Sequence, residues 1–550
     1  MNRSRPLAAL ALVTCFATLA HAQDLDKPDV KLIGIEEHHL PNGLRIVFLA
    51  DPTKPTFTTN LTVLVGSVHE GAGETGMAHV FEHILFRSAE GFPDISETLK
   101  ELGGNFNGTT SFDRTNFFET LNATDENFET AIRLEAARLG RVTISEDFLE
   151  KEGRIVESEF DLGESSAQRV LLFGAFGAMF DFHGYSRSPI GTVEDFKSLT
   201  VKGVKAFYKR YYRPDNAVLF ITGKFDRARA MELVKKHFGG FKASGKGRPT
   251  YTTREPAARG ERRYTVRGPG DTSHVLMAYR APGAASPEAA AAQVLAQALV
   301  AGKSGPLYDA IVGAGLASSV EGGMMTLRMP SPLLFMAEVP KDKDPAAVEA
   351  ALIEELEKKA AQLPEADLVR AKSQIEREFD DAFNSAEAMA MVLSEYEASG
   401  SWQLFVVRRE QVKAMTLEAV RAVAAKYLRV ENRVVGRYMP DPAAVKVRPD
   451  PEPEVGEYSA LLAGVPAGLK GTKEFAYTPA TRSRRSRRSG RRRLGRTSSR
   501  RSWRSSRGAF TSRRRRTACW WRSRRRRRRS RRWRRWPSGC CGRRRSAKRR

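Results

Sequence analysis

The chain has 550 residues, 41% of them hydrophobic, and a formal net charge of +27 at pH 7. Residues 481–550 hold 34 of the 91 basic side chains and none of the 64 acidic ones, so residues 1–480 carry 57 basic against 64 acidic side chains and are mildly acidic. No cysteine lies between Gln23 and Ala480, which excludes disulfides and thiolate metal ligands from this part of the chain.

The N-terminus has the pattern of a secretory signal peptide. Arg3 and Arg5 precede an apolar stretch at 7–19, and residues 20–22 (AHA) form a small-residue cleavage site. The apolar stretch is too short to anchor the protein in a bilayer, and no later segment approaches twenty apolar residues. The sequence therefore predicts a signal peptide at 1–22 and a periplasmic or secreted protein without a stable membrane anchor.

Residues 30–241 contain the predicted elements of a first domain. Two alternating segments around Pro41-Asn42-Gly43 predict a β-hairpin. The other predicted strands are 59–68, 106–110, 116–121 and 217–221, and the predicted helices are 76–86, 125–139, 146–164, 201–212 and 227–237.

A Gly-, Lys- and Arg-rich linker at 242–263 leads to a second predicted domain at 264–445 with the same plan. Its predicted strands are 274–279, 316–321, 333–339 and 433–438, and its predicted helices are 287–300, capped by Ser286, 346–363, 366–399 and 417–427. The expected fold is α+β, with two structurally repeated α/β-sandwich domains, each a mostly antiparallel sheet packed against helices. The second domain is expected to bind no metal, because its 287–300 helix contains no histidine.

The C-terminal end consists of a second linker at 446–480 and the Arg-rich segment at 481–550. A basic arm that binds nucleic acid and a membrane-surface segment are two functional interpretations of the latter. Arg greatly outnumbers Lys there, Trp and Cys occur in clusters, and no apolar period exists, which favours an out-of-frame translation of a GC-rich gene, or otherwise a disordered tail. We therefore expect no nucleic-acid partner.

The sequence HVFEH at 79–83 carries the chemistry of the first domain. His79 and His83 are four residues apart on a predicted helix, so both imidazoles can reach one metal ion, and Glu82 can reach a water on that metal. A catalytic zinc site also needs a third protein ligand. On the 146–164 helix, Glu152 and Glu159 share one face while Glu157 points elsewhere, so one of the pair can ligate and the other can orient a ligand. Solvated or core histidines and a solvated acidic helix are the structural alternatives.

Further segments resemble the insulinase/pitrilysin family of zinc peptidases. They are GSVHE at 66–70, GMAH at 76–79, FEHILF at 81–86, GGNFNGTT at 103–110, TNFF at 115–118 and SPIGT at 188–192, with two glutamates at the family's downstream spacing. The resemblance covers about residues 30–445.

The resemblance implies a zinc-dependent endopeptidase that hydrolyses short or unfolded peptides with a metal-activated water. It implies one Zn²⁺ per chain with His79, His83 and Glu159 as ligands, Glu82 as the general base, and Glu152 as a residue that supports a ligand. It also implies that the strand with Gly104, Asn105, Phe106 and Asn107 pairs with the substrate backbone.

One segment departs from the family pattern. Many relatives carry an Arg and a Tyr that contact substrate opposite the zinc, where this chain has Pro306 and Ser318. We therefore expect these groups to come from an opposing half, either a second peptidase-like half or a homodimer partner. A noncatalytic peptidase-like binding subunit and an inactive truncated product that needs a second half are the alternatives to an active enzyme.

Overall fold

The computed structural model describes residues 34–245 and 247–444. The predicted signal peptide at 1–22, the linker at 446–480 and the Arg-rich tail at 481–550 lie outside the described residues. Within those two ranges, no helix is long and apolar enough to cross a membrane.

A six-stranded sheet lies at the centre of the first domain. Its strands are β1 (Glu36–His39), β2 (Arg45–Ala50), β3 (Thr56–Val63), β4 (Asn105–Thr110), β5 (Thr115–Asn122) and β6 (Ala217–Gly223). Their order is β1-β2-β6-β3-β5-β4, and only β2 and β6 pair in parallel. The predicted hairpin forms β1 and β2, with the Asn42 side chain accepting the Leu44 N–H and Gly43 at a φ of +91°.

Eight helices accompany this sheet in the described residues. They are α1 (Met77–Ile84), α2 (Ile95–Glu101), α3 (Asp125–Gly140), α4 (Glu146–Glu164), α5 (Ala167–Met179), α6 (Val193–Lys197), α7 (Val201–Tyr211) and α8 (Arg227–Phe238). The structure has α4 with the predicted bounds, because Ser145 caps it by accepting the Phe148 N–H. Helices α2, α5 and α6 were not predicted from the sequence.

The second domain repeats this topology. Its strands are β7 (Arg262–Gly268), β8 (Ser273–Ala281), β9 (Ser319–Met324), β10 (Ser331–Val339) and β11 (Arg433–Pro440). Their order is β7-β11-β8-β10-β9 with β7 and β11 parallel, which matches β2-β6-β3-β5-β4 strand for strand. The prediction of an α+β fold with two repeated, mostly antiparallel domains is confirmed.

The helices of the second domain correct several predicted boundaries. They are α9 (Ala289–Val300), α10 (Pro345–Ile353), α11 (Glu365–Asp381), α12 (Ala386–Ala398), α13 (Leu404–Lys413) and α14 (Leu417–Tyr427). The single helix predicted at 366–399 was wrong: Ser385 is extended and caps a new helix. The cap predicted at Ser286 was also wrong, because its hydroxyl accepts the Glu288 N–H in the turn before α9.

Two predicted strands are displaced in the structure. The strand predicted at 59–68 ends at Val63, and a 3₁₀ turn follows at Ser67–His69. The strand predicted at 316–321 begins only at Ser319.

Each domain covers the free face of the other domain's sheet with one helix. In the first sheet, Val47, Val218 and Phe220 point away from their own helices and join the core that contains α12. In the second sheet, Leu276, Ala278 and Val434 pack in the core that contains α5. Since α5 and α12 occupy the same place in the repeat, the exchange is reciprocal, and the central strands β3, β6 and β8 are buried on both faces.

Candidate metal centre

Helix α1 is fixed at its first turn by a buried carboxylate. Glu70 accepts the N–H groups of Gly76 and Ala78 at 2.9 and 2.8 Å, which satisfies two donors that the helix itself leaves unpaired. Gly76 has a φ of +83°, and a β-carbon there would lie 2.5 Å from the Ile190 carbonyl oxygen. The segment at 188–192 therefore packs directly on the start of α1, and only glycine fits at that contact.

The remaining residues of α1 divide between two faces. Met77, Ala78, Val80, Phe81 and Ile84 are buried in the core of the first domain. The side chains of the HVFEH sequence that carry chemistry lie on the opposite face, toward α4 and β4.

Helix α4 brings two carboxylates to the histidines of α1. The Nε2 atoms of His79 and His83 are 3.4 Å apart, and the Oε2 atom of Glu159 lies 3.4 Å from the first and 3.5 Å from the second. These three residues, here called the His-His-Glu cluster, are a group of possible metal ligands in the described part of the chain. Spacing alone left open which of the two glutamates faces the histidines directly, while the family resemblance implied Glu159. In the structure Glu159 faces both histidines.

The spacing of the His-His-Glu cluster fits a tetrahedral zinc ion. Zinc bonds to histidine nitrogen and carboxylate oxygen are about 2.0–2.2 Å long, so two ligand atoms of a regular tetrahedron lie about 3.3–3.6 Å apart. All three measured separations fall in this interval. The donor set of two imidazoles and one carboxylate is also one that zinc takes in catalytic sites.

The His83 ring lies between two carboxylates two turns apart on α4. Its Nε2 atom faces Glu159, and its Nδ1 atom lies 3.2 Å from Oε2 of Glu152, which is 2% exposed. Arg87 donates to the other oxygen of Glu152 at 2.7 Å. Glu152 is therefore placed to fix the orientation of the His83 ring from the nitrogen opposite the one that faces Glu159.

The electrostatics of the two histidines differ. Burial lowers the pKa of His79 to about 4, and the charge of His83 adds to this effect, so His79 is neutral at pH 7 and can bind a metal. Burial also acts to lower the pKa of His83, but hydrogen bonds to Glu152 and Glu159 raise it to about 9. The two carboxylates thus favour a positive charge at His83, and in the absence of a metal ion a proton supplies it.

Glu82 lies between α1 and β4. Burial raises the pKa of its carboxyl group above the ordinary value, while a hydrogen bond with Thr110 acts in the opposite direction. A β-carbon on Gly108 of β4 would lie 2.9 Å from the Glu82 side chain and 3.0 Å from the Phe86 ring. The absence of a side chain at Gly108 therefore lets the strand approach this carboxylate closely.

Among the described residues, strand β4 is the last strand of its sheet and pairs with β5 alone. Of the residues predicted to bind substrate, Asn105, Phe106 and Asn107 belong to β4, and Gly104 directly precedes it. The contacts with Glu82 come from the far end of the same strand, at Gly108 and Thr110. The predicted strand therefore does reach the site, but it does so through Gly108 and Thr110. The four residues predicted to bind substrate lie nearer the start of the strand.

Several residues that support the site were not identified from the sequence. Arg138 is fully buried, pairs with Glu119 at 2.7 Å and Glu135 at 3.1 Å, and donates to the Leu85 carbonyl at the end of α1. Its guanidinium also lies 5.0 Å from the Phe86 ring centre. The sequence does contain a signal for this ion cluster. Arg138 stands at an apolar position of α3, and Glu119 lies within the mainly apolar segment FFETL of strand β5.

The two repeated domains and the His-His-Glu cluster define a two-domain α+β protein with a candidate metal centre in its first domain. Residues 45–192 match the model of the insulinase family, peptidase family M16, and residues 198–375 match that of the M16 inactive domain. These matches cover more than half of the chain, so the chain belongs to the insulinase family of peptidases. The inactive-domain match does not include the HVFEH sequence.

The chain is also similar to individual members of this family. Zinc protease PqqE of Helicobacter pylori is 28% identical over 438 residues, which cover 78% of this chain and 96% of that protein. The crystal structure of a protease from Helicobacter pylori has a TM-score of 0.70 at 27% identity and covers 74% of this chain and 99% of its own. The periplasmic protease PqqL from Escherichia coli has a TM-score of 0.61 at 18% identity, covering 74% of this chain and 47% of that one. This last likeness shows the fold alone.

We predict that Glu152→Gln weakens zinc binding by about 10- to 100-fold, because the substitution removes the charge that orients His83. Competition with a zinc-chelating dye measures the affinity. Glu157→Gln is the matched control, since the same change is made on the same helix but on the face that pairs with Lys197. Equal zinc affinity of the two variants would show that Glu152 has no role in the site.

Proposed function

We propose that this protein is a zinc-dependent endopeptidase that hydrolyses short or unfolded peptides. The observation that carries the proposal is the triangle of His79, His83 and Glu159 with edges of 3.4–3.5 Å, beside the half-buried carboxyl group of Glu82. One Zn²⁺ per chain would be held by the three residues of the triangle. Zinc at such a site supplies Lewis-acid activation of water and of a carbonyl group.

Glu82 is the proposed general base. Its oxygen accepts a proton from the attacking water and then delivers the proton to the nitrogen of the leaving amine. The raised pKa suits this double task, because a carboxyl group with a pKa closer to neutrality both accepts and releases a proton more readily near pH 7. Glu152 and Arg87 hold the His83 ring in place during these steps.

The open edge of β4 is the proposed binding surface for the peptide backbone. A strand at the end of a sheet presents unpaired N–H and C=O groups, and an extended peptide can add to it as a further strand. Such recognition tolerates many sequences, since most of its hydrogen bonds are made with the peptide backbone. A substrate in this position runs past Gly108 and so past Glu82.

An opposing half is the proposed partner of this chain. The Arg and Tyr that the family resemblance implies opposite the zinc are replaced by Pro306 and Ser318. The Escherichia coli protease PqqL is about twice the length that this chain matches, which supports an arrangement of two halves. A second copy of this chain or a separate peptidase-like half would supply the missing contacts.

The proposed location is the periplasm or the exterior of the cell. A periplasmic or secreted location agrees with the signal peptide predicted at 1–22. A noncatalytic peptidase-like binding subunit is the second candidate function, favoured by the match of residues 198–375 to the inactive-domain model.

We predict that Glu82→Gln reduces kcat/KM for peptide hydrolysis by about 10²-fold or more while zinc binding is retained, because the variant keeps all three residues of the His-His-Glu cluster and loses the proton acceptor. Hydrolysis of a quenched fluorescent peptide and metal analysis of the same sample measure both properties. Unchanged hydrolysis by a zinc-loaded variant would contradict the role of Glu82. Absence of hydrolysis in the parent protein, with and without a partner half, would favour the binding subunit.

We predict that Gly108→Ala lowers kcat/KM by about tenfold or more, because the new methyl group would press on Glu82 and Phe86 and displace β4. Thermal unfolding and zinc content should change little. Gly323→Ala is the matched control: it makes the same change in the edge strand of the second sheet, where no atom lies within 4 Å of the new β-carbon. Equal kinetics of the two variants would argue against substrate binding along β4.

We predict that the specific activity of the purified chain is low in dilute solution and rises with protein concentration or on addition of a peptidase-like second half. The reason is that Pro306 and Ser318 supply neither a cation nor a phenol to the substrate. Analytical ultracentrifugation at the assay concentrations shows which species is active. Full, concentration-independent activity of a monomer would contradict the need for an opposing half.

A further inference from the structure

A guanidinium group near the His-His-Glu cluster, that of Arg169, forms no ion pair with an acidic side chain of the described residues 34–245 and 247–444. Arg169 is the third residue of α5, and its side chain turns back over the last turns of α4. A β-carbon on Gly163 would lie 2.7 Å from Cζ and 2.8 Å from Nε of this side chain. Within residues 34–245 and 247–444, no carboxylate oxygen comes within 4.0 Å of the Arg169 nitrogen atoms.

The guanidinium of Arg169 lies over Gly163, which is one helical turn from the proposed metal ligand Glu159. Gly163 follows Glu159 by four residues, so the two lie on the same face of α4, about one turn apart. Arg169 acts electrostatically on both Glu159 and His79. The ring of Phe173, whose centre is 5.9 Å from Cζ, packs near the guanidinium and helps to hold it over Gly163.

Four basic side chains on α4 and on the segments that pair with α1 and α4 differ from Arg169, because each of them forms an ion pair. These pairs are Arg87 with Glu152, Lys151 with Asp147, Arg154 with Glu150, and Lys197 with Glu157. A half-buried cation that forms no ion pair with the described residues is unfavourable beside other positive charge. With a divalent ion held by two neutral imidazoles and one carboxylate, the cluster keeps one positive charge. An ionised Glu82 balances that charge, so Arg169 leaves the site with a net positive charge.

We propose that Arg169 binds a carboxylate group of the peptide substrate close to the scissile bond, which makes the enzyme selective for acidic peptides. The inference rests on the proposed function, since it assigns the substrate class of that site. The planar guanidinium can donate two parallel hydrogen bonds to a carboxylate, and the incoming negative charge balances the positive charge of the site. The carboxylate comes either from an Asp or Glu side chain or from the C-terminus of a short peptide.

The test measures peptide binding in a protein that does not hydrolyse its ligand. The full chain with Glu82→Gln is loaded with zinc and titrated into fluorescein-labelled peptides that differ only in Asp, Asn or Lys at one position, each with a free or an amidated C-terminus. We expect the peptide with the added carboxylate to bind about tenfold more tightly than its neutral counterpart. A difference in affinity between the Asp and Asn peptides shows that a side-chain carboxylate is bound. A difference between the free and amidated peptides shows that the C-terminal carboxylate is bound.

Substitutions of Arg169 in the same background decide the proposal. Arg169→Gln should abolish the preference, Arg169→Lys should restore part of it, and Arg169→Glu should favour the Lys peptide. Arg154→Gln, on the opposite face of α4, should keep the full preference. The proposal would be overturned if Arg169→Gln left two ratios of binding affinity unchanged: that of the Asp peptide to the Asn peptide, and that of the free C-terminus to the amidated one. Hydrolysis of the neutral peptide by the protein with Glu82 intact separates this result from a failure of the proposed function, because that hydrolysis does not require Arg169.

Discussion

The packing of α4 across α1 is the contact on which the candidate site depends. One helix carries the two histidines, the other carries Glu152 and Glu159, and the His83 ring lies between these carboxylates with one nitrogen toward each. A rotation of α4 by one residue would turn both glutamates away by about 100°. The crossing of these helices therefore sets both the ligand triangle and the orientation of the ring that belongs to it.

The rest of the first domain holds this crossing in place. Glu70 fixes the start of α1 through two backbone N–H groups, and Arg138 binds the carbonyl at its end. Removing one member of a buried ion cluster such as that of Arg138 typically costs several kcal/mol because the remaining charges stay buried. The exchange of α5 and α12 between the domains adds a second constraint, since α5 follows α4 directly and packs on the second sheet. The second domain is thereby coupled to the position of α4.

Much of the fold and site could be predicted from the sequence, and the failures have identifiable physical reasons. The structure places α4 at the predicted residues because Ser145 provides a clear cap and the charged face is regular. Helix α5 was missed because it is apolar on nearly all sides, as expected for a helix buried between two domains, and contains Gly174 and Gly177. The break at Ser385 was missed because only a short 3₁₀ turn separates two segments of good helix-forming composition.

For the candidate site, the spacing within HVFEH and between Glu152 and Glu159 predicted which side chains meet. Spacing could not decide which glutamate faces both histidines, because that depends on the depth at which α4 crosses α1. The support from Glu70, Arg87 and Arg138 could not be read from the sequence either, since each acts across a distant contact.

X-ray absorption spectroscopy at the zinc edge of the purified full-length protein tests the central claim most directly. The account predicts one zinc ion per chain bound only by nitrogen and oxygen atoms at about 2.0–2.2 Å, and a loss of that spectrum when His83 is replaced by alanine. A protein without zinc, or a spectrum dominated by sulfur at about 2.3 Å from the cysteines at 519, 540 and 541, would contradict it.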